Sequence, residues 1–175
     1  MQQTDKDKFI DDTVVDVAAH EERDHWTMVP RSSLPVGAKT IRSIWSFERK
    51  RFPDGLLNKH KDIICGHGGM QIWGEKYWET HSPVVNILSV SLLLSIAHIH
   101  SQNLKSIYFV LVFPQADIDI DILMELPEVI IPVGDESNRR LYILKHNKSF
   151  YGLKQAYHNW YENIKQYLLD WDFTP

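Results

Sequence analysis

Along this chain the apolar residues follow two periods, and the switches between them mark out the elements. From Phe9 to Arg23 acids are interleaved with Val and Ala, which predicts a short surface helix without a pronounced apolar face. "HWTMVP" reads as a short strand entering a loop, because "PRSSLPVG" brings two prolines, two serines and a glycine together. From Thr40 to Phe52 bulky β-formers alternate with basic residues, "PDG" supplies a turn, and "LLNKHKDIICG" returns as a second strand, which predicts a β-hairpin. "GHGGMQIWG" is a glycine-rich connection that lacks the strand-to-helix setting of a phosphate loop. Ser82 then offers an N-cap and Pro83 a first helical turn. The apolar spacing of "VVNILSVSLLLSIAHIHSQN" predicts a buried helix behind them. "KSIYFVLVF" reads as a strand, "ILMELP" as another, "GDESNRR" as a turn and "LYILKHN" as a further strand. In the last segment Tyr157, Trp160, Tyr161, Ile164, Leu168 and Trp171 recur at three- and four-residue steps, an amphipathic helix whose aromatic face is assigned to the core.

Composition bounds this pattern. With 175 residues, 43% of them hydrophobic, the chain is one ordinary domain or a piece of one. A net charge of -4 argues weakly against a nucleic-acid partner, yet Lys39, Arg42, Arg49, Lys50, Arg51, Lys59 and Lys61 fall in one segment against Glu48 and Asp54. Trp45 and Phe47 stand among those charges, the mixture that phosphate contact and base stacking require. The residues alone leave a second reading open, a solvated hairpin whose lysines guard an edge strand. One cysteine, Cys65, rules out an internal disulfide and fits a reducing compartment. The polar start and the short apolar run near "VSLLLSIAHI" predict neither a signal peptide nor a membrane span, hence an intracellular, soluble chain in cytoplasm or nucleus.

Other chemistry is weakly supported. Asp117, Asp119 and Asp121 alternate with Ile118, Ile120 and Ile122, so an extended strand would send the carboxylates to one side. They lack the glycine and closing glutamate of a calcium loop, and a solvated strand face explains them. Cys65 and His67 have no second ligand pair at zinc spacing, and His98 and His100 fall at a helix end, where cations are favoured. No Gly-x-Ser-x-Gly elbow is present. Periodicity and composition thus reach an α+β domain with a basic hairpin.

Whole phrases carry the reading further. "HWTMVPRSSLPVGAKTIRSIWSFERKRFPDGLLNKHK", "YWETHSPVV", "FPQADIDIDILMELP" and "SFYGLKQAYHNWYENI" resemble, in the same order, the reverse transcriptase domain of Ty1/copia-type retrotransposon Pol polyproteins. The resemblance runs from Asp24 to Pro175 and sets residues 1–23 apart as a polar, helical lead segment. It implies part of a right-hand polymerase: fingers from Thr40 to Gly66, a palm helix from Pro83, a central palm strand from Lys105 to Phe113, and an RNA or DNA template-primer as partner. The hairpin cations then become the expected nucleic-acid contacts, with a further basic stretch from Arg139 to Lys154. In this family two Mg2+ ions held by carboxylates carry nucleotidyl transfer.

Three departures bear on that chemistry. One catalytic aspartate of the family falls at Tyr108, and a neutral phenol, with its pKa of about 10, is a poor ligand for a hard cation. The arginine that the family directs at the triphosphate falls at Ile63, with Asp62 adding a repelling charge. The Tyr-x-Asp-Asp turn lies in the family beyond the helix at which this sequence stops. Phe113 matches the residue that crowds the ribose 2′-hydroxyl, and Gln155 matches a glutamine of the nucleotide pocket. Asp117, Asp119 and Asp121 match no metal ligand of the family. The expectation is a truncated, degenerate copy that is inactive by itself and binds no Mg2+. The alternative is a non-catalytic relic that still holds nucleic acid through the hairpin.

Overall fold

Phe9, Thr13, Val17 and His20 follow one another at steps of four, four and three residues, so a helix gathers them onto one face, and that face is buried. In the computed structural model, which describes residues 3–130 and 136–173, they belong to α1 (Gln3–Glu21). Two of the four are polar, which is why the apolar pattern understates the face. After α1 come β1 (Trp26–Pro30), β2 (Ser43–Arg51) and β3 (Leu57–Gly66), then α2 (Ile87–Ile99), β4 (Leu123–Glu125), β5 (Tyr142–His146) and α3 (Ala156–Asp170).

The strands form two antiparallel units, a sheet in the order β1-β5-β4 and the hairpin β2-β3. Trp26 pairs with His146, and Met124 with Leu144. Ile41, just ahead of β2, joins the two units: its N–H donates to Leu123 O at 2.8 Å and its carbonyl accepts from Glu125 N at 2.9 Å. Around that junction Ile64, Ile122, Met124, Leu144 and Phe150 form the centre of the core. The chain is therefore α+β, with mixed helix and antiparallel sheet.

In β3, His60, Asp62, Ile64 and Gly66 turn inward and are buried, as a period of two requires. The outer edge of β3 is closed by α1, since Asp16 Oδ2 accepts the Ile64 N–H at 2.9 Å. An unpaired strand edge is thus satisfied by a carboxylate from the helix. At the end of β3, the Gly66 N–H donates to Tyr151 O at 2.8 Å. Gly152, at φ +80°, makes this approach possible, because a Cβ there would lie 2.3 Å from Gly66 O.

Four sequence expectations are corrected. The run Lys105–Phe113 forms no strand: Leu111 has φ 51°, a 3-10 turn follows at Phe113–Gln115, and Tyr108 is 83% exposed. A run of β-formers on both faces is buried only with sheet partners on either side, and no described strand pairs with it. Next, α2 starts four residues later than expected. Asn86 caps it by accepting from the Leu88 N–H, while Ser82 and Pro83 stay outside the helix. Its apolar residues are largely exposed, with Ala97 the buried one, so helical spacing was right about the shape and wrong about the covering. The aromatic stripe of α3 is core only in part: Trp160 is half-buried against the core and Phe109, whereas Tyr157 and, just past the helix end, Trp171 are 63% and 76% exposed. In "GDESNRR" the described part, from Glu136, is a 3-10 helix (Glu136–Leu141), and Gly134 and Asp135 lie outside the described residues.

Candidate nucleic-acid interface

The hairpin register decides which basic residues stand together. Lys50 pairs with Lys59, Glu48 with Lys61 and Ser46 with Ile63, which places Lys50, Lys59, Lys61 and Ile63 on one face. Arg49, Phe47 and Trp45 pair with His60, Asp62 and Ile64 on the opposite face, towards α1. There Phe47 meets Phe9 edge-on at 5.3 Å and Arg49 lies over the Phe9 ring at 5.9 Å. The remaining cations stand apart from these lysines. Lys39 pairs with Glu75 at 2.6 Å, Arg51 donates to Gly55 O in the turn at 2.8 Å, and Arg42 is exposed. Of the seven expected contacts, the fold brings Lys50, Lys59 and Lys61 together, and turns the aromatics Trp45 and Phe47 away from them.

Beside the lysines opens a cleft of about 1080 Å³. Its walls are α1, the middle of β3, residues 107–112 and Tyr151, so Lys59, Lys61, Ile63 and Tyr108 line one space. Two positions that the sequence placed 45 residues apart are neighbours around the same cavity. Phe113 and Gln155 are not in its lining. Phe113 is buried behind it, edge-on to Tyr151 at 5.0 Å and to Tyr157 at 4.7 Å. Gln155 is buried too, its Oε1 accepting from Gln71 Nε2 at 2.9 Å, while Gln71 Oε1 accepts the Lys154 N–H at 2.8 Å. Gln71 is a residue that sequence reasoning missed; a glutamine in a glycine-rich connection carries no local signal of burial.

Also missed was the contribution of α1, which sends Asp11, Asp12 and Asp16 to the cleft. Burial holds the Asp16 carboxyl above the usual carboxylate range, with the Ile64 N–H and the Lys61 charge pulling it back. Asp62 is likewise raised by burial, opposed by the hydrogen bond from Thr13 Oγ1 at 2.9 Å. Burial and the Asp16 charge push the Cys65 thiol up to about 11, which removes it as a nucleophile at neutral pH.

The acids tried as metal ligands are occupied differently. Asp117 pairs with Lys148 at 2.5 Å and Asp121 with Lys145 at 2.8 Å; both are exposed with Asp119, while Ile118 and Ile120 turn inward. Those pairs also absorb part of the Arg139–Lys154 stretch, and Arg139 itself donates to the carbonyls of Leu126 and Glu128. Among the described residues no group of three or more His, Cys, Asp or Glu is placed to hold a metal ion. Asp11, Asp12, Asp16 and Asp62 line the cleft but form no such group, and its other walls offer no further carboxylate, so the residues of the cleft do not fit Mg2+. No described helix is long and apolar enough to cross a membrane.

Against known proteins, residues 23–175 match the family described as reverse transcriptase (RNA-dependent DNA polymerase). The chain is 32% identical over 149 residues to the retrovirus-related Pol polyprotein from transposon RE1 of Arabidopsis thaliana, covering 85% of this chain and 10% of the relative. It is 30% identical over 135 residues to the retrovirus-related Pol polyprotein from transposon TNT 1-94 of Nicotiana tabacum, covering 77% of this chain and 10% of that one. The chain thus spans about a tenth of the length of these relatives. No solved structure matches it. The chain belongs to the reverse transcriptase family, and its likeness is to the reverse transcriptase domain of copia-type retrotransposon Pol polyproteins.

Proposed function

We propose that this chain is a reverse transcriptase domain that retains a hold on template-primer nucleic acid and has lost nucleotide transfer. In this reading residues 24–175 are fingers and palm, with β2 and β3 as the fingers, and residues 1–23 are a lead segment. The observation that carries it is the shared cleft: Tyr108, at the family's aspartate position, and Ile63, at its arginine position, face the same space as Lys59 and Lys61. Both changes remove charge from the place where a triphosphate and its cations would be held, while the lysines that suit a phosphate backbone remain. Phe113 and Gln155 keep the family's residue types and act here by packing against Tyr151 and Gln71. No transfer step is assigned to Mg2+, because the donor set does not suit it.

Two measurements test this. A primer annealed to an RNA or DNA template, with magnesium or manganese and all four nucleotides, is expected to remain unextended; template-dependent extension would overturn the loss of transfer. Fluorescence anisotropy with a labelled single-stranded oligonucleotide is expected to show weak, salt-dependent binding. Replacing Lys50, Lys59 and Lys61 by alanine should flatten the slope of log affinity against log salt by about 2, at about 0.7 per phosphate neutralised on single strands. An unchanged slope would leave the hairpin as a solvated edge.

A further inference from the structure

The lead helix is acidic and packs against the basic hairpin. α1 carries six acids against two lysines, and it lies ahead of residue 23, where the family match begins. It is built into the wall of the cleft rather than set apart from it. Asp16 takes the edge N–H of β3, Thr13 hydrogen-bonds Asp62, and Phe9 packs edge-on against His60 at 4.6 Å. These contacts fix the rotation of the helix about its axis. With Thr13 and Val17 buried, Asp11 is exposed, Asp12 and Asp16 are half-buried, and all three carboxylates border the cleft that Lys59 and Lys61 share. The charge of Lys61 is already felt by Asp16. Lys8 and Arg23, at either end of the same wall, add cations of their own.

We propose that α1 is an autoinhibitory element, a built-in polyanion whose Asp11 and Asp12 compete with a nucleic-acid backbone for Lys59 and Lys61. The proposal rests on the reading of the hairpin as a nucleic-acid interface and adds its regulation. A phosphate that reaches Lys61 within the cleft shares that space with the α1 carboxylates, and like charges close to one another raise the free energy of the bound state. Nucleic acid therefore binds fully only when these two charges are neutralised or the helix is drawn aside. Asp16 has a second task, since its carboxylate holds the β3 edge, and it is left intact in the test.

The test is the variant Asp11→Asn with Asp12→Asn in the full chain, assayed by anisotropy with a labelled single-stranded oligonucleotide across salt. The oligonucleotide is expected to bind about threefold more tightly or better at low salt. The salt slope should steepen by about 0.7 for each additional phosphate that the freed lysines neutralise. A second variant, Asp119→Asn with Asp170→Asn, changes the net charge equally at exposed sites outside the cleft and should leave the affinity near that of the parent chain. Adding Lys59→Ala and Lys61→Ala to the first variant should abolish the tightening. Equal tightening by both pairs of substitutions would reduce the effect to net charge and overturn the proposal, as would no tightening by the first pair. If binding ignores Lys50, Lys59 and Lys61 in every background, the interface itself is misassigned. If the lysines matter and Asp11 and Asp12 do not, the inhibition alone fails.

Discussion

Acidification should unfold this protein through three histidines that meet in its core. His20 at the end of α1, His25 ahead of β1 and His146 in β5 are all buried beside Trp26 and Phe150. His20 stacks on Trp26 at 5.1 Å, and its Nδ1 lies 2.7 Å from Nδ1 of His25, so one ring must offer a lone pair to the other. Neither ring nitrogen of His146 has a hydrogen-bond partner. Burial, reinforced by the other histidines and, at His20, by Arg23, brings His20 and His146 down to about 3. His25 is lowered as well, by burial and by the charges of Arg23 and Lys148 against the opposing charge of Asp24.

The sign follows from which state takes up protons. Below about 6.5 the unfolded chain binds protons on these rings that the folded chain refuses. Their contribution is therefore complete above that pH and is lost as pH falls towards about 3. Each refused proton amounts to about 1.4 kcal/mol per pH unit, so falling to about pH 5 removes about 2 kcal/mol per histidine, or about 4 for His20 and His146 together. Against a usual total of about 5–15 kcal/mol, that shift is large. The raised carboxyls of Asp16 and Asp62 act with the opposite sign.

A paired comparison isolates the histidine contribution. Urea unfolding would be followed by tryptophan fluorescence at neutral and acidic pH for the parent chain and for His146→Leu. The leucine leaves no buried nitrogen unpaired, so the variant should be at least as stable at neutral pH, and on acidification it should lose about 2 kcal/mol less than the parent. Parallel pH dependences in the two proteins would refute the reasoning.

Other perturbations probe other parts of the structure. Tyr108→Asp, at an exposed site, should change stability by less than about 0.5 kcal/mol in a chemical melt and restore no primer extension, because Ile63 stays uncharged. Gly152→Ala should lose about 3 kcal/mol or more, or fail to give a cooperative melt, since it adds a Cβ at φ +80° that meets Gly66 O. Thr13→Val removes the donor to the buried Asp62 carboxylate and should cost about 1–3 kcal/mol at neutral pH, with the loss shrinking as Asp62 is protonated. Leu92→Glu with Leu93→Glu, on the exposed side of α2, should leave the unfolding midpoint nearly unchanged and lower self-association seen by light scattering.

Local pattern by itself determined the hairpin. The alternation on both arms and the "PDG" turn are properties of neighbouring residues, and β2 and β3 form where those properties place them. The four family phrases likewise carried the ancestry, and the positions between them made Tyr108 and Ile63 conspicuous. Alternation also separated the Asp117–Asp121 carboxylates from the isoleucines, although only a single bridge, Asp117 to Lys148, forms there. What covers each face was another matter. The apolar spacing of α2 and the aromatic steps of α3 gave helices, but a period states which residues share a face and not what meets it. Lys105–Phe113 has every local preference of a strand and forms none, because a strand exists only with a partner to accept its hydrogen bonds. The cleft was decided in the same way. Asp16 and Ile64 stand 48 residues apart, and the hydrogen bond between them, with the Thr13–Asp62 and Phe9–His60 contacts, brings the acids of α1 to the lysines of β3.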